Sequence, residues 1–329
     1  MNDLIPMLYV KKLVSVTDHE LAAVGYRAQD LAIVASQVRV SPSIVVTSNT
    51  YDEVLRLNNL KYRIDYLMSH AQELLPMTIQ NVYTGIRKSL FEVKLPAGFE
   101  VELRQHYDSI TYPLSIGELV AEKERPSVRI ILSTNRIDDP EDNTTVIQAI
   151  NGFDELLIAI REGWALAYAP TLLKARMKEH YPESKLKVSL IIQVMDKSTA
   201  SAHVYSCVPQ DHNKIYIQGY LGVLDMRNTI AKDYFAVGKS GLKVLSSELS
   251  VQKESLALDD KKDIVAKQLD PPASSEKIVD RDLIQLARET KKIEKSLTVP
   301  IKAFFSVNGE DQELLWVNRM SFDVMMEKD

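Results

Sequence analysis

Apolar and polar positions follow two different periods along the chain, and each period predicts one kind of element. Apolar residues recur at helical spacing from 18 to 36, whereas 38–47 alternates and then becomes β-branched. From 49 to about 110 the pattern is mainly helical, with breaks at Pro76 and Pro96. We therefore predict a helix, a strand and then a helical subdomain.

The rest of the chain is predicted to contain strands that carry helices. Apolar residues at helical spacing from 153 to 181 predict two consecutive helices or one long kinked helix. The segment 252–281 is the most polar part of the chain and is predicted to be a solvated excursion or a linker, followed by a helix at 281–297. Two apolar runs around Asn308-Gly309 predict a closing β-hairpin. The other predicted strands are 4–16, 127–133, 187–195, 202–207 and 214–218.

These elements predict a fold class and a division of the chain. With 329 residues, 45% of them hydrophobic, the chain is long enough for two or three subdomains with their own cores. The expected fold is α+β or α/β with mixed sheets. The predicted segments are an N-terminal lobe with the helical subdomain at 1–125, a central mixed lobe at 126–250 and a closing segment at 251–329.

Charge and cysteine content exclude several classes of protein. The formal net charge is -5, so no basic field attracts a phosphate backbone, and we expect no nucleic-acid partner. No run approaches the roughly 20 apolar residues that span a bilayer, so we expect no membrane insertion. Cys207 is the single cysteine, which rules out an internal disulfide and fits a reducing cytoplasm.

Metal ligands are not clustered in the sequence. None of the 6 histidines is paired at i and i+4, and we interpret His203 as structural. An acidic loop contains Asp138, Asp139, Glu141 and Asp142, but it lacks the glycine and the terminal glutamate of an EF-hand. We therefore predict no metal-binding residue.

Several phrases of the sequence occur in the order and at the spacing of known family motifs. They are V-G-Y-R at 24–27, V-S-P-S-I-V-V-T-S at 40–48, V-R-I-I-L-S-T at 128–134, Q-V-M at 193–195, L-G-V at 221–223, P-I-K-A-F-F-S-V at 300–307 and L-W-V-N-R-M at 315–320. In that order they resemble V-G-G-K, V-P-P-G-F-V-V-T-T, V-A-V-R-S-S-A, V-Q-x-M, L-G-E, P-x-D-I-E-W-A-V and Y-I-L-Q-x-R. Those motifs belong to the N-terminal ATP-grasp module of the phosphoenolpyruvate synthase and pyruvate phosphate dikinase family. The resemblance covers nearly the whole chain.

The resemblance implies an ATP-grasp-like, two-lobed fold that binds Mg-ATP between its lobes. In this family the module phosphorylates a histidine on a separate domain. Phosphoryl transfer depends on cations and metal ions that neutralise developing charge, so the loss of charged positions lowers the rate strongly.

Most of the family's charged motif positions are replaced in this sequence. Arg27 stands in place of the motif lysine and keeps its charge, and Asn318 stands in place of the closing glutamine. An arginine, two carboxylates and a closing arginine have apolar replacements. These replacements are Ile131, Val223, Phe304 and Met320.

The resemblance therefore gives four candidate nucleotide-binding residues and no catalytic residue. The candidates are Arg27, Arg129, Gln193 and Asn318. Arg129 and Arg136 are alternatives for the lost arginine, and Arg129 is favoured because it lies two positions before Ile131 on the same strand face. Glu310 and Asp311 are alternatives for a lost carboxylate, although both lie in the predicted hairpin turn.

The sequence favours a degenerate member of this family, a pseudoenzyme that acts in the cytoplasm as a binding, scaffold or assembly component. The alternative is a divergent ATP-binding phosphotransferase subunit that acts with separate partner chains. ATP is the candidate ligand, and no magnesium ion is expected. The candidate partners are another protein or a second copy of the chain. The deciding observation is whether the surroundings of Arg27 are open and polar or filled by Ile131, Val223 and Phe304.

Overall fold

A computed structural model of the chain describes residues 8–17, 19–69, 75–112, 125–137, 145–195, 198–309 and 311–320. These residues group into two units. The first unit draws on Met1–Gln29 and Pro42–Met195, and the second on Asp30–Ser41 and Asp196–Asp329. The last boundary, between 195 and 196, lies inside the predicted central segment 126–250.

The first unit contains a five-stranded sheet. Its strands are β1 (Val10–Lys12), β2 (Ser43–Val46), β3 (Val128–Thr134), β4 (Val146–Ile150) and β5 (Val188–Val194). They follow the order β1-β2-β5-β3-β4, and neighbouring strands are antiparallel. Strands β2, β3 and β5 are buried along their whole length, which explains why their sequences are almost continuously apolar or β-branched.

One face of this sheet packs against a helical layer. The helices that accompany the sheet are α1 (Leu21–Val34), α2 (Ser48–Leu57), α3 (Leu60–Ser69), α4 (Pro76–Phe91), α5 (Phe99–Thr111), α6 (Phe153–Leu166) and α7 (Pro170–Lys178). Ile130 and Leu132 of β3 join a core that includes Phe99 of α5 and Trp164 of α6. The rings of Phe99 and Trp164 lie 6.4 Å apart between centroids. Helix α1 continues past Gln29 into the second unit.

The second unit contains a six-stranded sheet and one further helix. The strands of this sheet are β6 (Ala200–Tyr205), β7 (Lys214–Leu221), β8 (Asp233–Gly238), β9 (Val244–Glu248), β12 (Ile301–Asn308) and β13 (Asp311–Arg319). A separate hairpin is formed by β10 (Gln252–Leu258) and β11 (Ile264–Ala273). The helix is α8 (Asp280–Leu297). The large sheet has the order β13-β12-β6-β7-β8-β9. Helix α8 packs on β12 and β6 and buries Leu283, Leu286 and Ile293.

The predicted α+β fold class is confirmed. The sheets differ from the mixed sheets that were expected, because all pairs of neighbouring strands in the described residues are antiparallel. Parallel pairing is limited there to isolated bridges. The segment 252–281 is not a linker, because most of it forms the β10–β11 hairpin. Its side chains are mostly polar and partly or fully exposed, so the sequence lacks the apolar alternation that marks a half-buried strand.

The segment 153–181, for which the sequence predicts either two consecutive helices or one long kinked helix, contains two helices. Helix α6 ends at Leu166 and α7 begins at Pro170, which occupies a first-turn position where its missing N–H costs nothing. Within the described residues, the stretch Phe153–Lys178 has the length and mean hydropathy, 26 residues and 1.2, to cross a membrane. Because 67% of its apolar window is buried in the structure, and buried core helices pass the same test, this is weak evidence for a span.

Candidate functional site

A polar row crosses the first unit's sheet on the face opposite the helical core. Side chains alternate along a strand, so Arg129 points away from its core neighbours Val128 and Ile130. In the register, Arg129 lies opposite Gln193, which in turn lies opposite Ser43. Gln193 Nε2 donates to Ser43 Oγ at 3.2 Å, and Arg129 and Gln193 are 2% and 0% exposed. The structure thus brings two predicted site residues together on one buried row.

The next row on the same face is apolar. Ile131 lies opposite Ile191, and Ile191 follows the same alternation as Gln193, while Val45 of β2 completes the row. All three side chains are fully buried. Arg129 therefore shares the face of Ile131, as the strand period predicts, but the position of the family arginine itself lies in an apolar environment.

Helix α1 places Arg27 beside this face. Arg27 Nη1 donates to the carbonyl oxygen of Leu132 at 2.9 Å, which orients the side chain along β3. The helix is tied to the strand by Ser133, whose Oγ donates to Val24 O at 2.8 Å and accepts from Ala28 N at 3.1 Å. Arg27 thus contacts a backbone carbonyl of β3, and the hydroxyl of Ser133 joins the helix that carries Arg27 to the same strand.

Gly25 makes this close approach of helix and strand feasible. Its φ of 75° and ψ of 168° interrupt the helix and fall in a region that is essentially restricted to glycine. A Cβ at this position would lie 2.6 Å from Ser133 Oγ and 2.7 Å from Thr134 O. The glycine of the V-G-Y-R phrase is required by both its backbone angles and its packing.

The alternative cation, Arg136, makes different contacts. It forms an ion pair with Glu179 just beyond α7 and lies over the ring of Tyr181, with 4.5 Å between guanidinium carbon and centroid. These contacts fasten the end of β3 to the end of α7. Of the two alternatives for the lost arginine, Arg129 is the one on the polar row.

One acidic alternative, Asp311, begins β13 of the second unit. It lies opposite Asn308 and forms an ion pair with Arg39 at 2.9 Å, with its side chain 68% exposed. Glu310 lies outside the described residues. Asn318 lies at the other end of β13, opposite Lys302 of β12. The structure therefore separates Asp311 and Asn318 along one strand, and Asp311 is a strand residue in an exposed ion pair, not a turn residue.

Apolar side chains occupy the positions of the family carboxylates. Phe304 on β12 is 5% exposed, and its ring stacks on Trp316 of β13 with centroids 4.4 Å apart. It also meets the ring of His203 edge-on at 4.9 Å. Val223 is 3% exposed. Each position has an apolar environment instead of a solvated carboxylate.

His203 belongs to a buried hydrogen-bonded chain. Its Nε2 lies 3.2 Å from Tyr220 Oη, which accepts a hydrogen bond from the backbone N–H of Asp225 at 2.8 Å. Burial lowers the pKa of His203 to about 3, and the charges of Lys302 and Lys232 act in the same direction. Burial also raises the pKa of Tyr220. His203 is therefore neutral at pH 7, which agrees with a structural role.

Lys302 is a charged residue near Phe304 that is not among the predicted site residues. Its Nζ lies 5.1 Å from the ring centroid of Tyr205 and 5.0 Å from that of Phe304. In the phrase P-I-K-A-F-F-S-V it stands at the aspartate of P-x-D-I-E-W-A-V, so the charge is reversed at this position. The reversed charge is the signal in the sequence that identifies it.

The residues at these positions do not fit a magnesium ion. Magnesium is bound through oxygen ligands, whereas Val223 and Phe304 offer none and Lys302 adds a positive charge. Across the described parts of the chain, no three His, Cys, Asp or Glu side chains come together as a potential metal site. The acidic residues Asp138, Asp139, Glu141 and Asp142 lie outside those parts.

The comparisons with known proteins agree with the motif order. Residues 21–318 match the family described as "Pyruvate phosphate dikinase, AMP/ATP-binding domain". A probable phosphoenolpyruvate synthase of Methanothermobacter thermautotrophicus (strain Delta H) is 19% identical over 286 residues, which cover 84% of this chain and 41% of that protein. The chain thus spans less than half the length of the curated relative it matches.

A solved structure is also similar in part. The crystal structure of PH1788 from Pyrococcus horikoshii Ot3 is 11% identical, covers 73% of this chain and 89% of its own, and has a TM-score of 0.34. This likeness is too low to carry an argument. The family match, in contrast, extends over nearly the whole chain and confirms both the resemblance and the ATP-grasp-like fold class. The chain belongs to the pyruvate phosphate dikinase AMP/ATP-binding domain family.

Proposed function

We propose that this member of the family acts by binding and does not catalyse phosphoryl transfer. The observation that supports the proposal best is Phe304, which is buried and stacked on Trp316 where the family has a carboxylate. An aromatic ring cannot hold a metal ion through oxygen or neutralise charge on a transferred phosphoryl group. The chain would then serve as a binding, scaffold or assembly component.

The other replaced positions support the same proposal. Ile131 is fully buried in an apolar row, and Val223 is also buried. Preorganised charges commonly contribute most of the rate enhancement in reactions of this type. A chain that has apolar groups at several of these positions lacks the means to stabilise the transition state.

Nucleotide binding is the part of the family's chemistry that we propose to be retained. Arg27 and Arg129 keep positive charge on the first unit, and Gln193 adds an amide on the same row as Arg129. Asn318 adds a second amide on the second unit. ATP is the proposed ligand, bound without magnesium.

The second candidate function is a divergent ATP-binding phosphotransferase subunit that acts with separate partner chains. Arg27 favours it, because Arg27 keeps the positive charge of the motif lysine, and the close packing of Gly25 on β3 fixes the helix that carries it. Proposed partners are another protein or a second copy of the chain, in the cytoplasm. The buried state of the lone Cys207 is compatible with that compartment.

Calorimetric titration with ATP separates retained from lost binding. We expect binding in both EDTA and magnesium, with a Kd that changes less than about twofold between them, because no cluster of three metal-ligating side chains occurs among the described residues. Arg27→Ala should weaken binding about tenfold, as expected for loss of one contact to a charged group. Arg56→Ala is the matched control, since Arg56 is an exposed partner of Glu53 on α2.

Turnover assays separate the two candidate functions. Release of phosphate from Mg-ATP and phosphorylation of histidine are expected to stay at the background rate. Magnesium-dependent turnover that Arg27→Ala abolishes would establish the phosphotransferase instead. No heat from ATP at millimolar concentration, with or without magnesium, would leave a scaffold function without a nucleotide.

A further inference from the structure

A cavity of about 570 Å³ lies in the first unit, in the groove between helices α4 and α7. Its volume is within the range of pockets that hold small organic ligands. The beginnings of both helices line it, with Pro76 as the first residue of α4 and Pro170 as the first residue of α7. Ile79 of α4 also lines it and is 2% exposed. One wall of the cavity is therefore continuous with the hydrophobic core.

The charged residues that line this cavity are two lysines of α7. They are Lys174 and Lys178, and both are exposed. Residues four positions apart lie on the same face of a helix, about 6 Å apart along its axis. Both ammonium groups can therefore approach a single anionic group. Among the described residues, no carboxylate lines the cavity.

The nearest acidic residue in the sequence does not neutralise these lysines. Glu179 follows Lys178 directly, but its carboxylate pairs with Arg136. Within the described part of the chain, neither Lys174 nor Lys178 forms an ion pair with a carboxylate. Two ammonium groups without a compensating charge attract an anion, and the cavity places them beside an enclosed volume.

The remaining lining favours an aliphatic body for the ligand. Most of these residues have aliphatic side chains, namely Pro76, Ile79, Pro170 and Ala175. None of the described lining residues is aromatic, so a planar ring finds no ring on which to stack. An alkyl chain, in contrast, gains from every methylene group that these side chains remove from water.

We infer that this cavity binds an organic anion with an aliphatic body, of the class of medium-chain carboxylates and alkyl phosphates. The acidic group lies at Lys174 and Lys178, and the chain lies along Ile79 and the two proline rings. The inference goes beyond the proposed function, because the cavity shares no lining residue with the proposed nucleotide site and offers no surface for a base.

Calorimetry on the full chain tests this inference with octanoate, octan-1-ol and acetate as probes. We expect one octanoate to bind per chain, with a Kd of about 1 mM or lower. Octan-1-ol should bind about tenfold more weakly, because it has the chain but no charge. Acetate has the charge but no chain to bury, so it should give no heat.

Two double variants with the same change in net charge separate a local site from a general charge effect. Lys174→Met with Lys178→Met should weaken octanoate about tenfold and octan-1-ol less than about twofold. Lys61→Met with Lys88→Met is the matched control, since both residues are exposed on α3 and α4 and neither lines the cavity. It should leave the Kd of octanoate unchanged.

Further variants keep the result independent of folding and of nucleotide. Lys174→Arg with Lys178→Arg should retain octanoate binding, because both charges remain. Ala175→Glu should weaken octanoate about tenfold, since it adds a carboxylate to the lining. ATP should not displace octanoate, and Arg27→Ala should leave its Kd unchanged. Thermal unfolding of each variant checks that it is folded.

A membrane lipid could supply the same combination of acidic group and alkyl chain, and a sedimentation assay distinguishes that source. Vesicles of phosphatidylcholine with phosphatidylglycerol are pelleted with the chain. We expect the chain to remain in the supernatant, because the cavity is sized for one free molecule. Sedimentation that depends on Lys174 and Lys178, with no heat from octanoate, would identify a membrane contact and overturn the inference.

The other contradictory outcomes distinguish this inference from the proposed function. No heat from octanoate at about 10 mM, or equal binding of octanoate and octan-1-ol at many sites, would overturn it. If ATP displaces octanoate, the anion binds at the nucleotide site, so the proposed function stands and this inference fails. If octanoate binds as expected while ATP gives no heat, the inference stands and the proposed nucleotide binding fails.

Discussion

The two sheets of the molecule carry different residues at the family's motif positions. On the first unit's sheet, Arg129 and Gln193 form a polar row, and Arg27 lies beside β3. On the second unit's sheet, Phe304 is stacked on Trp316, and Lys302 reverses a charge. The first pattern retains cationic and amide groups, whereas the second has a ring and an ammonium group where the family motif has carboxylates. Under the proposed function, this difference places the loss at the positions that handle metal and developing charge.

Replacing Phe304 should have the largest effect. Phe304→Ala removes a buried ring and its stacking contact with Trp316, so we expect the free energy of unfolding of the second unit to fall by about 3–5 kcal/mol. Denaturant unfolding monitored by Trp316 fluorescence measures this loss. Phe91→Ala is the control, because Phe91 is 36% exposed, and it should cost less than about 1 kcal/mol. Equal losses would mean that Phe304 is not a packed core residue.

Replacing Gly25 tests the first unit in the same way. Gly25→Ala places a Cβ 2.6 Å from Ser133 Oγ at a backbone conformation that alanine disfavours, so we expect a loss of about 3 kcal/mol in the free energy of unfolding. Gly98→Ala separates strain from crowding, since Gly98 has φ 83° but no atom within 4 Å of its Cβ position. It should cost about 1 kcal/mol. If both variants lose the same amount, the close packing of α1 on β3 is not needed.

The stability of the second unit should also depend on pH through His203. Its pKa is lowered to about 3 in the folded chain, against about 6.5 in the unfolded chain. The unfolded chain therefore binds a proton between these values that the folded chain does not. The stabilisation is fully present above about pH 6.5 and is lost as pH falls, by up to about 1.4 kcal/mol per pH unit.

A comparison with His203→Gln isolates this effect from other titrating groups. Denaturant unfolding of both proteins between about pH 7 and pH 4 should show a steeper loss in the wild-type chain. Parallel curves would show that His203 does not carry the pH dependence.

The smallest expected effect is on the stability of the arginine variants. Arg27→Ala and Arg129→Ala should differ in kind, because Arg27 is partly exposed whereas Arg129 is 2% exposed. We expect Arg27→Ala to change the free energy of unfolding by about 1 kcal/mol, through loss of the hydrogen bond to Leu132 O. A much larger loss, measured by denaturant unfolding, would identify Arg27 as a structural residue and would weaken its proposed role in ATP binding.

The sequence predicts the elements whose burial leaves a periodic pattern. The helical subdomain, β3, β5 and the closing hairpin could all be predicted, because one side of each meets an apolar core. The strand periodicity also places Arg129 and Ile131 on one face. Strands β9, β10 and β11 could not be predicted, because almost all of their side chains are partly or fully exposed and their polar and apolar residues do not alternate.

Contacts between residues that are far apart in the sequence could not be predicted from one sequence either. Lys277 and Asp233 form a fully buried ion pair at 2.8 Å, although 44 positions separate them. The sequence gives no sign that these two residues pair. Lys302 is not among the predicted site residues for another reason. The replaced carboxylate that its phrase offers is at Phe304, two positions later. Its place beside Tyr205 becomes visible only when β6 and β12 are paired.

The rate of phosphoryl transfer from Mg-ATP tests the central claim most directly. The chain of 329 residues is mixed with Mg-ATP at a concentration that saturates the binding site detected by calorimetry. Phosphate release is then measured, and mass spectrometry is used to detect phosphohistidine. We expect bound nucleotide in the wild-type chain, about tenfold weaker binding in Arg27→Ala, and no turnover above the background rate in either. Magnesium-dependent turnover that disappears in Arg27→Ala would contradict it.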